Sequence, residues 1–236
     1  MVCDRENGFL TGWGPAGADS IGIESSRIDE CVAEIQRRRV KSIFGAPYLG
    51  FEEDTLDFLR QIPFVERMWF NDVKVRDIDG LYSVAKLKFF GVFPKRPGID
   101  FSKLPDLEEL IIHFNKRDIG IDSLTNVKRY HVWHFNPKKA TFERLLVPPS
   151  VQKMMVCWAN PHRLDGLSSM PKLKQLELAR CRNLTSVGAL PSIAPKLEEF
   201  MTEDCGRLDD GERVARSMRT LKHCFIGDTE IVSKYR

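Results

Sequence analysis

Apolar residues recur along this chain in one short phrase, in which an aliphatic anchor is followed by apolar residues three and five positions later. The copies are Val40-x-x-Ile43-x-Gly45, Val65-x-x-Met68-x-Phe70, Val84-x-x-Leu87-x-Phe89, Leu107-x-x-Leu110-x-Ile112, Val127-x-x-Tyr130-x-Val132, Val151-x-x-Met154-x-Val156, Leu173-x-x-Leu176-x-Leu178, Leu197-x-x-Phe200-x-Thr202 and Leu221-x-x-Cys224-x-Ile226. Their anchors lie 25, 19, 23, 20, 24, 22, 24 and 24 residues apart. In the cleanest copy, Leu173-Lys-Gln-Leu176-Glu-Leu178, the last two positions alternate with polar residues, as a half-buried strand requires. A repeat of this period predicts a solenoid, whose product is an extended surface rather than an enclosed pocket.

The phrase Leu173-Lys-Gln-Leu176-Glu-Leu178 continues as Ala-Arg-Cys181-Arg-Asn-Leu184, and Leu107-x-x-Leu110-x-Ile112-x-x-Asn115 follows the same template. In this the chain resembles the leucine-rich repeat family, whose signature is L-x-x-L-x-L-x-x-N/C-x-L. The resemblance covers Val40 to the C-terminus. It implies an α/β fold, a leucine-rich-repeat solenoid with a curved parallel β-sheet on the concave face and short helices, three-ten turns and loops on the convex face. In the family, Asn or Cys eight residues after the anchor bonds backbone groups where the chain leaves the strand. Val73, Val92, Phe135 and Ala159 stand there in four repeats, so those backbone groups need other partners. An unpaired buried amide costs roughly 1–3 kcal/mol. The uneven spacing predicts a less regular N-terminal half.

Between the strands, residues 51–62 read as a helix, with Leu56, Leu59 and Ile62 repeating at threes, Asp54 as a cap and Pro63 as a stop. Residues 209–218 read as a second short helical stretch. Phe93-Pro94-Lys-Arg-Pro97-Gly98 and Val147-Pro148-Pro149 read as turns. Residues 1–39 form an N-terminal cap with an amphipathic helix over 26–39, started by a serine and ending on Arg37, Arg38 and Arg39. Ser20-Ile21-Gly22-Ile23 before it reads as a degenerate strand. Residues 40–236 form one solenoid of about nine irregular repeats.

If the anchors point inward, residues two, four and six places later face outward from the sheet. The fourth-place column reads Phe44, Trp69, Lys88, Ile111, His131, Met155, Glu177, Met201 and Phe225. The sixth-place column includes Phe90, His113, Trp133, Cys157 and Glu203, and the second-place column Arg67, Lys86, Arg129, Lys153 and Glu199. Outward positions on an idle sheet are polar. Here Trp69, Phe90, Ile111, His113, His131, Trp133 and Met155 make one apolar patch, the mark of an interaction site. The face is basic toward its N-terminal half and acidic around Glu177, Glu199, Glu203 and Asp204, so a partner with the reverse dipole is steered onto it. A fold-over of other elements, or a one-residue error of phase, turns these rings into core instead.

Composition changes this picture little. Net charge is +3 and charged residues are 29% of the chain, which does not point to nucleic acid. Arg37-Arg38-Arg39-Lys41 is the one basic cluster, and the reading prefers a cap to a nucleic-acid or phospholipid patch. There is no apolar run long enough to span a bilayer and no secretory pattern at Met1-Val2-Cys3-Asp4, so the expectation is a cytoplasmic protein with no membrane association. The six cysteines read as reduced thiols without metal spacing. Gly12-Trp-Gly14-Pro-Ala-Gly17 matches a dinucleotide fingerprint by letters but follows no strand, and reads as a turn. His113, His131, His134 and Cys157 lie on neighbouring repeats, where a zinc site or a Cys157–His131 dyad is conceivable. Histidines among tryptophans on a binding face are commoner.

The family's members are in general protein-recognition modules. The expectation is therefore a non-enzymatic protein without cofactor or metal, a monomer on its own, binding another protein on its concave face. An immunity-type inhibitor covering a toxin domain is one form of this. An adaptor or scaffold subunit recruiting a substrate protein is the alternative.

Overall fold

The computed structural model describes residues 4–206 and 208–234. Cys3 and the segment before it lie outside them. The chain forms two compact units, one ending at Ile119 and the other beginning at Gly120.

The first unit is a sheet of strands β1 (Asp4–Glu6), β2 (Phe9–Thr11), β3 (Ser20–Gly22), β4 (Ser42–Gly45), β5 (Arg67–Lys74), β6 (Phe89–Lys95) and β7 (Glu109–His113), each beside the next. The pairings β1–β2 and β2–β3 are antiparallel, and those from β3 to β7 are parallel. The degenerate strand expected over 20–23 is thus real, with Ile21 opposite Ile43. Helix α1 (Ile28–Arg38) joins β3 to β4 and buries Cys31, Val32 and Ile35. No serine side chain caps it: Ser25 to Arg27 form a three-ten turn, and the Ser25 hydroxyl accepts from the Glu52 N–H instead. At its other end Arg39 is left-handed (φ 55°) and donates its N–H to Gln36 and Ile35 carbonyls.

The second unit holds β8 (Arg129–Trp133), β9 (Lys153–Cys157), β10 (Gln175–Ala179), β11 (Glu199–Glu203), β12 (His223–Ile226) and β13 (Thr229–Ser233). All pairings are parallel except β12–β13. Two short helices, α2 (Leu190–Ile193) and α3 (Gly211–Ser217), lie in the connections, α3 within the stretch read as helical. The pairings β8–β9, β9–β10 and β10–β11 each run five residues in step. In the first unit, by contrast, the β5–β6 register shifts between Phe70 and Val73. The second unit has a shift of its own, in the antiparallel β12–β13 pair between Cys224 and Phe225.

Most coils send their anchor and next two apolar residues inward, though Val40 and Ile226 are only half-buried and the third coil turns Phe90 inward in place of Phe89. In the second unit Val127, Val151, Leu173, Leu197 and Leu221 are fully buried, with Tyr130, Met154, Leu176, Phe200 and Cys224 stacked across the sheet at one level. Burying each large side chain contributes about 1.5–3 kcal/mol. The convex connections are mostly three-ten turns. The stretch 51–62 is one of these, a three-ten turn at Asp57–Gln61, rather than the helix expected. Its buried residues Leu56, Leu59 and Ile62 recur at the three-residue period of that turn, which an α-helix does not have. Asp54 does not cap it: its carbonyl accepts from the Arg76 and Asp77 N–H groups, and its carboxylate pairs with the Arg76 guanidinium. Strand β6 also runs on to Lys95, taking in the first three of the residues 93–98 read as a turn.

The polar ladder accounts for backbone groups at the strand exits. Asn115 donates its amide to the Arg96 and Pro97 carbonyls at 3.1 and 3.3 Å. The Cys181 thiol donates to the Val156 and Ala179 carbonyls, and Cys205 to the Leu178 carbonyl. Where the ladder residue is missing, other groups serve. Val73 sits in the long β5, whose continuation donates the Val75 N–H to the Lys95 carbonyl at 2.8 Å. Beside Ala159, Asn160 donates to the Pro137 carbonyl at 3.3 Å, and Phe135 stacks on Phe142 (centroids 5.5 Å apart).

Candidate functional site

In the first unit the outward face is largely covered. Strand register places Phe44, Trp69 and Gly91 in one column, and Arg67 and Phe89 in another. Trp69 lies over Gly91, where a Cβ would stand 2.1 Å from the indole Cε3. It also stacks against Phe89 at 6.3 Å, while the Arg67 guanidinium sits 4.4 Å from the Phe89 ring centroid. Over this layer passes the segment 12–17, in which Gly14–Ala16 make a three-ten turn. Side-chain hydrogen bonds help tie it down: the Ser42 hydroxyl donates to the Ala16 carbonyl (2.6 Å), the Ser20 hydroxyl to the Gly17 carbonyl (2.6 Å) and Arg67 Nη2 to the Pro15 carbonyl (3.1 Å). Trp13, carried by this strap, packs 5.5 Å from Phe44 and 6.4 Å from Trp69.

Four residues expected at a binding surface are therefore buried here. Phe44 is 0% exposed beneath Trp13, Trp69 is 9% exposed between strap and sheet, and Ile111 is also buried. Phe90 points to the other side. It pairs with Met68, and Val92 with Phe70, so the third repeat is phased on Leu87-x-x-Phe90-x-Val92 and not on Val84. Lys88 falls before its strand, exposed, and pairs with Glu66 at 3.3 Å. Arg67 and His113 are half-buried.

The second unit keeps its outward face open. Across β8, β9, β10 and β11 one column reads Arg129, Lys153, Gln175, Glu199, and the next His131, Met155, Glu177, Met201. Arg129, Lys153, Met201 and Glu203 are exposed, while His131, Trp133, Met155 and Glu177 are half-buried, as is Phe225 on β12, edge-on to His223 at 5.0 Å. These two columns line a shallow hollow of about 220 Å³. Basic side chains stand at its β8–β9 side and carboxylates at its β10–β11 side, with Met155 on β9 and Met201 on β11, one on either side of Glu177.

Glu177 is set apart electrostatically. Burial, and secondarily the nearby Glu203, push its carboxyl above the ordinary range. Burial likewise pushes the Cys157 thiol up to about 12, helped by Glu177 and Glu203. A buried thiol held protonated at neutral pH is a poor nucleophile, so a Cys157–His131 dyad has no activated sulfur. The Cys205 thiol is held low by a hydrogen bond with Cys181, whose own thiol is raised by the same contact. Among the described residues no group of three or more His, Cys, Asp or Glu side chains is placed to hold a metal ion.

The sequence reading missed a rim beside this face. The residue just past each of β8, β9, β10 and β11 is left-handed without being glycine: His134 (φ 58°), Trp158 (52°), Arg180 (56°) and Asp204 (47°). Such residues cost of order 1–3 kcal/mol each. Their side chains line up across the coils. His134 stacks on Trp158 at 5.1 Å, Arg180 lies 4.9 Å from the Trp158 ring, and Asp204 is 3.7 Å from Arg180. Trp133 closes on Trp158 at 5.0 Å. The signal was available in the sequence as a column seven places after the anchor.

Parallel strands stacked coil by coil, a shared aliphatic interior and the Asn/Cys ladder settle the architecture. This is a leucine-rich-repeat solenoid fold. No protein-family model and no curated protein matches the sequence. Among solved structures, a leucine-rich repeat protein of Leptospira interrogans is similar at 14% identity and a TM-score of 0.46, over 72% of this chain. The chain spans 50% of that protein's length. Among the described residues no helix is long and apolar enough to cross a membrane.

Proposed function

We propose that this protein is a recognition module that binds another protein through the outward face of its second unit. One observation carries the reading: Met201, 38% exposed, stands beside half-buried Phe225 and two strands from half-buried Met155 on the outward sheet face. Methionine and aromatic residues are enriched at protein interfaces, and the surrounding charges supply orientation. Of the residues expected to bind, Arg129, His131, Trp133, Met155, Glu177, Met201, Glu203 and Phe225 remain in this role.

Within this reading, an inhibitor of the immunity type needs one open face, whereas an adaptor needs two. The adaptor's second surface would lie on the Ile28–Arg38 helix or the C-terminal repeat rather than on the strapped face of the first unit. The test is a partner isolated from the native host in stoichiometric amount and measured against a Met155→Asp/Met201→Asp double variant. Binding should weaken by about 30-fold or more, matching the roughly 2 kcal/mol of a hot spot, with the thermal midpoint nearly unchanged. Undiminished affinity in that variant places recognition elsewhere.

A further inference from the structure

The open face of the second unit carries a polarity that defines its ligand. Lys153 is exposed on β9 and Glu177 half-buried on β10, and neither makes an ion pair among the described residues. Lys153 lies beside Arg129 in one column, and Glu177 and Glu199 line the other side of the hollow, with Glu203, which makes no ion pair among the described residues, near Glu177. Two like charges gathered at one side of a hollow, and two of the opposite sign at the other, favour an occupant of reversed polarity. Met155, on β9 between the strand of Arg129 and that of Glu177, favours an apolar group near its centre.

Spacing fixes its form. Strands lie about 4.8 Å apart, so Arg129 on β8 and Glu199 on β11 stand about 14 Å apart along the coil axis. An extended chain advances about 3.3 Å per residue and turns alternate side chains to one side, so positions i and i+4 lie about 13 Å apart with i+2 midway. The geometry points to an extended peptide segment lying across the strands, with an acidic residue over Arg129 and Lys153, an apolar residue two places on over Met155, and a basic residue four places on over Glu177 and Glu199. This rests on the recognition role of the same face.

The test uses the full chain and three labelled, end-capped heptapeptides: Gly-Glu-Ser-Leu-Ser-Lys-Gly and its two like-charge versions, with Glu or Lys at both outer positions. By fluorescence anisotropy the mixed peptide should bind at least tenfold more tightly than either like-charge peptide. On Lys153→Glu the Lys/Lys peptide should overtake the mixed one, and on Glu177→Lys the Glu/Glu peptide should do so. A merely structural role for these two residues produces no such inversion. Equal binding of the three peptides, no binding of the mixed one, or an unchanged order in both variants overturns the inference. A random-peptide library selected on the same protein separates this failure from that of the wider reading. Selected peptides that lose binding on Met201→Asp but lack the acid–apolar–base spacing overturn the inference and leave the face as a recognition site. Selected peptides indifferent to Met201→Asp overturn both.

Discussion

Gly91 and the Trp69 indole occupy space that only one side chain can fill. The Gly91 backbone is ordinary extended strand, so the requirement for glycine is steric: a Cβ there meets the indole at 2.1 Å, with Phe89 and the strap leaving it no retreat. Gly91→Ala should therefore destabilise by about 1–3 kcal/mol, the usual cost of overpacking, measured by urea unfolding. A variant as stable as the parent would mean that the indole has another seat. Glu177 poses the opposite case. Its folded-state carboxyl is raised above the ordinary value near 4.3, so the folded chain disfavours the ionised form. That penalty is absent below the unfolded value and complete once the pH exceeds the folded one. Glu177→Gln should raise the unfolding midpoint at pH 7 and leave it unchanged at pH 3, as read by calorimetry. This carboxylate is retained at a cost to stability, as expected of a group placed for a ligand.

The connections between strands hold what the sequence hid. The loop after β6 is fastened by a buried pair, in which Arg96 Nη1 and Nη2 each donate at 2.6 Å to the Asp118 carboxylate, with side chains 1% and 4% exposed. Asp118 also accepts the Ile99 N–H, and Asn115 next to it donates to the Arg96 carbonyl. Removing one partner leaves a buried charge, so Asp118→Ala should cost about 3–5 kcal/mol, with Arg96→Met/Asp118→Leu recovering much of it. Equal losses in the single and double variants would refute this account. Neither residue is marked by periodicity, because their meeting depends on two loops 22 residues apart. The strands were legible because each coil repeats one alternating phrase. The third slipped because Phe89 and Phe90 are adjacent, and both phases present an aromatic inward; pairing with Met68 decides for Phe90. The strap was illegible for a different reason: Trp13 is buried by Ser20, Ser42 and Arg67 acting on a glycine-rich turn that shows neither helical nor strand periodicity. Hence the second unit's face could be read from columns of letters, and the first unit's could not.

At the scale of the whole molecule, both units repeat one electrostatic device at the residue after the anchor. In the first, the Glu66 carboxylate lies between Lys41 and Lys88; in the second, Glu198 lies between Lys174 and Lys222. Lys41 and then Lys88 hold the Glu66 carboxyl below its ordinary range despite burial, and Lys222 and then Lys174 do the same for Glu198. The Glu34 carboxyl is lowered by its hydrogen bond from Arg37. Burial pushes Asp210 up, but hydrogen bonds from the Ser186 hydroxyl and the Val187 N–H outweigh it and leave it lowered. A carboxyl lowered in the folded state contributes stability above its unfolded value, near 4.3 for Glu and 3.9 for Asp, and loses it as the pH falls through the folded one. The thermal midpoint should accordingly hold between pH 5 and 7 and decline toward pH 3. Glu66→Gln/Glu198→Gln should melt lower than the parent at pH 7, converge with it near pH 3 and show a flatter profile between. Because one triad lies in each unit, each single variant should remove part of the decline and the double variant more. A double variant that follows the parent's profile unchanged would show that the triads do no more than decorate the surface, and would leave Glu34 and Asp210 to account for the acid sensitivity.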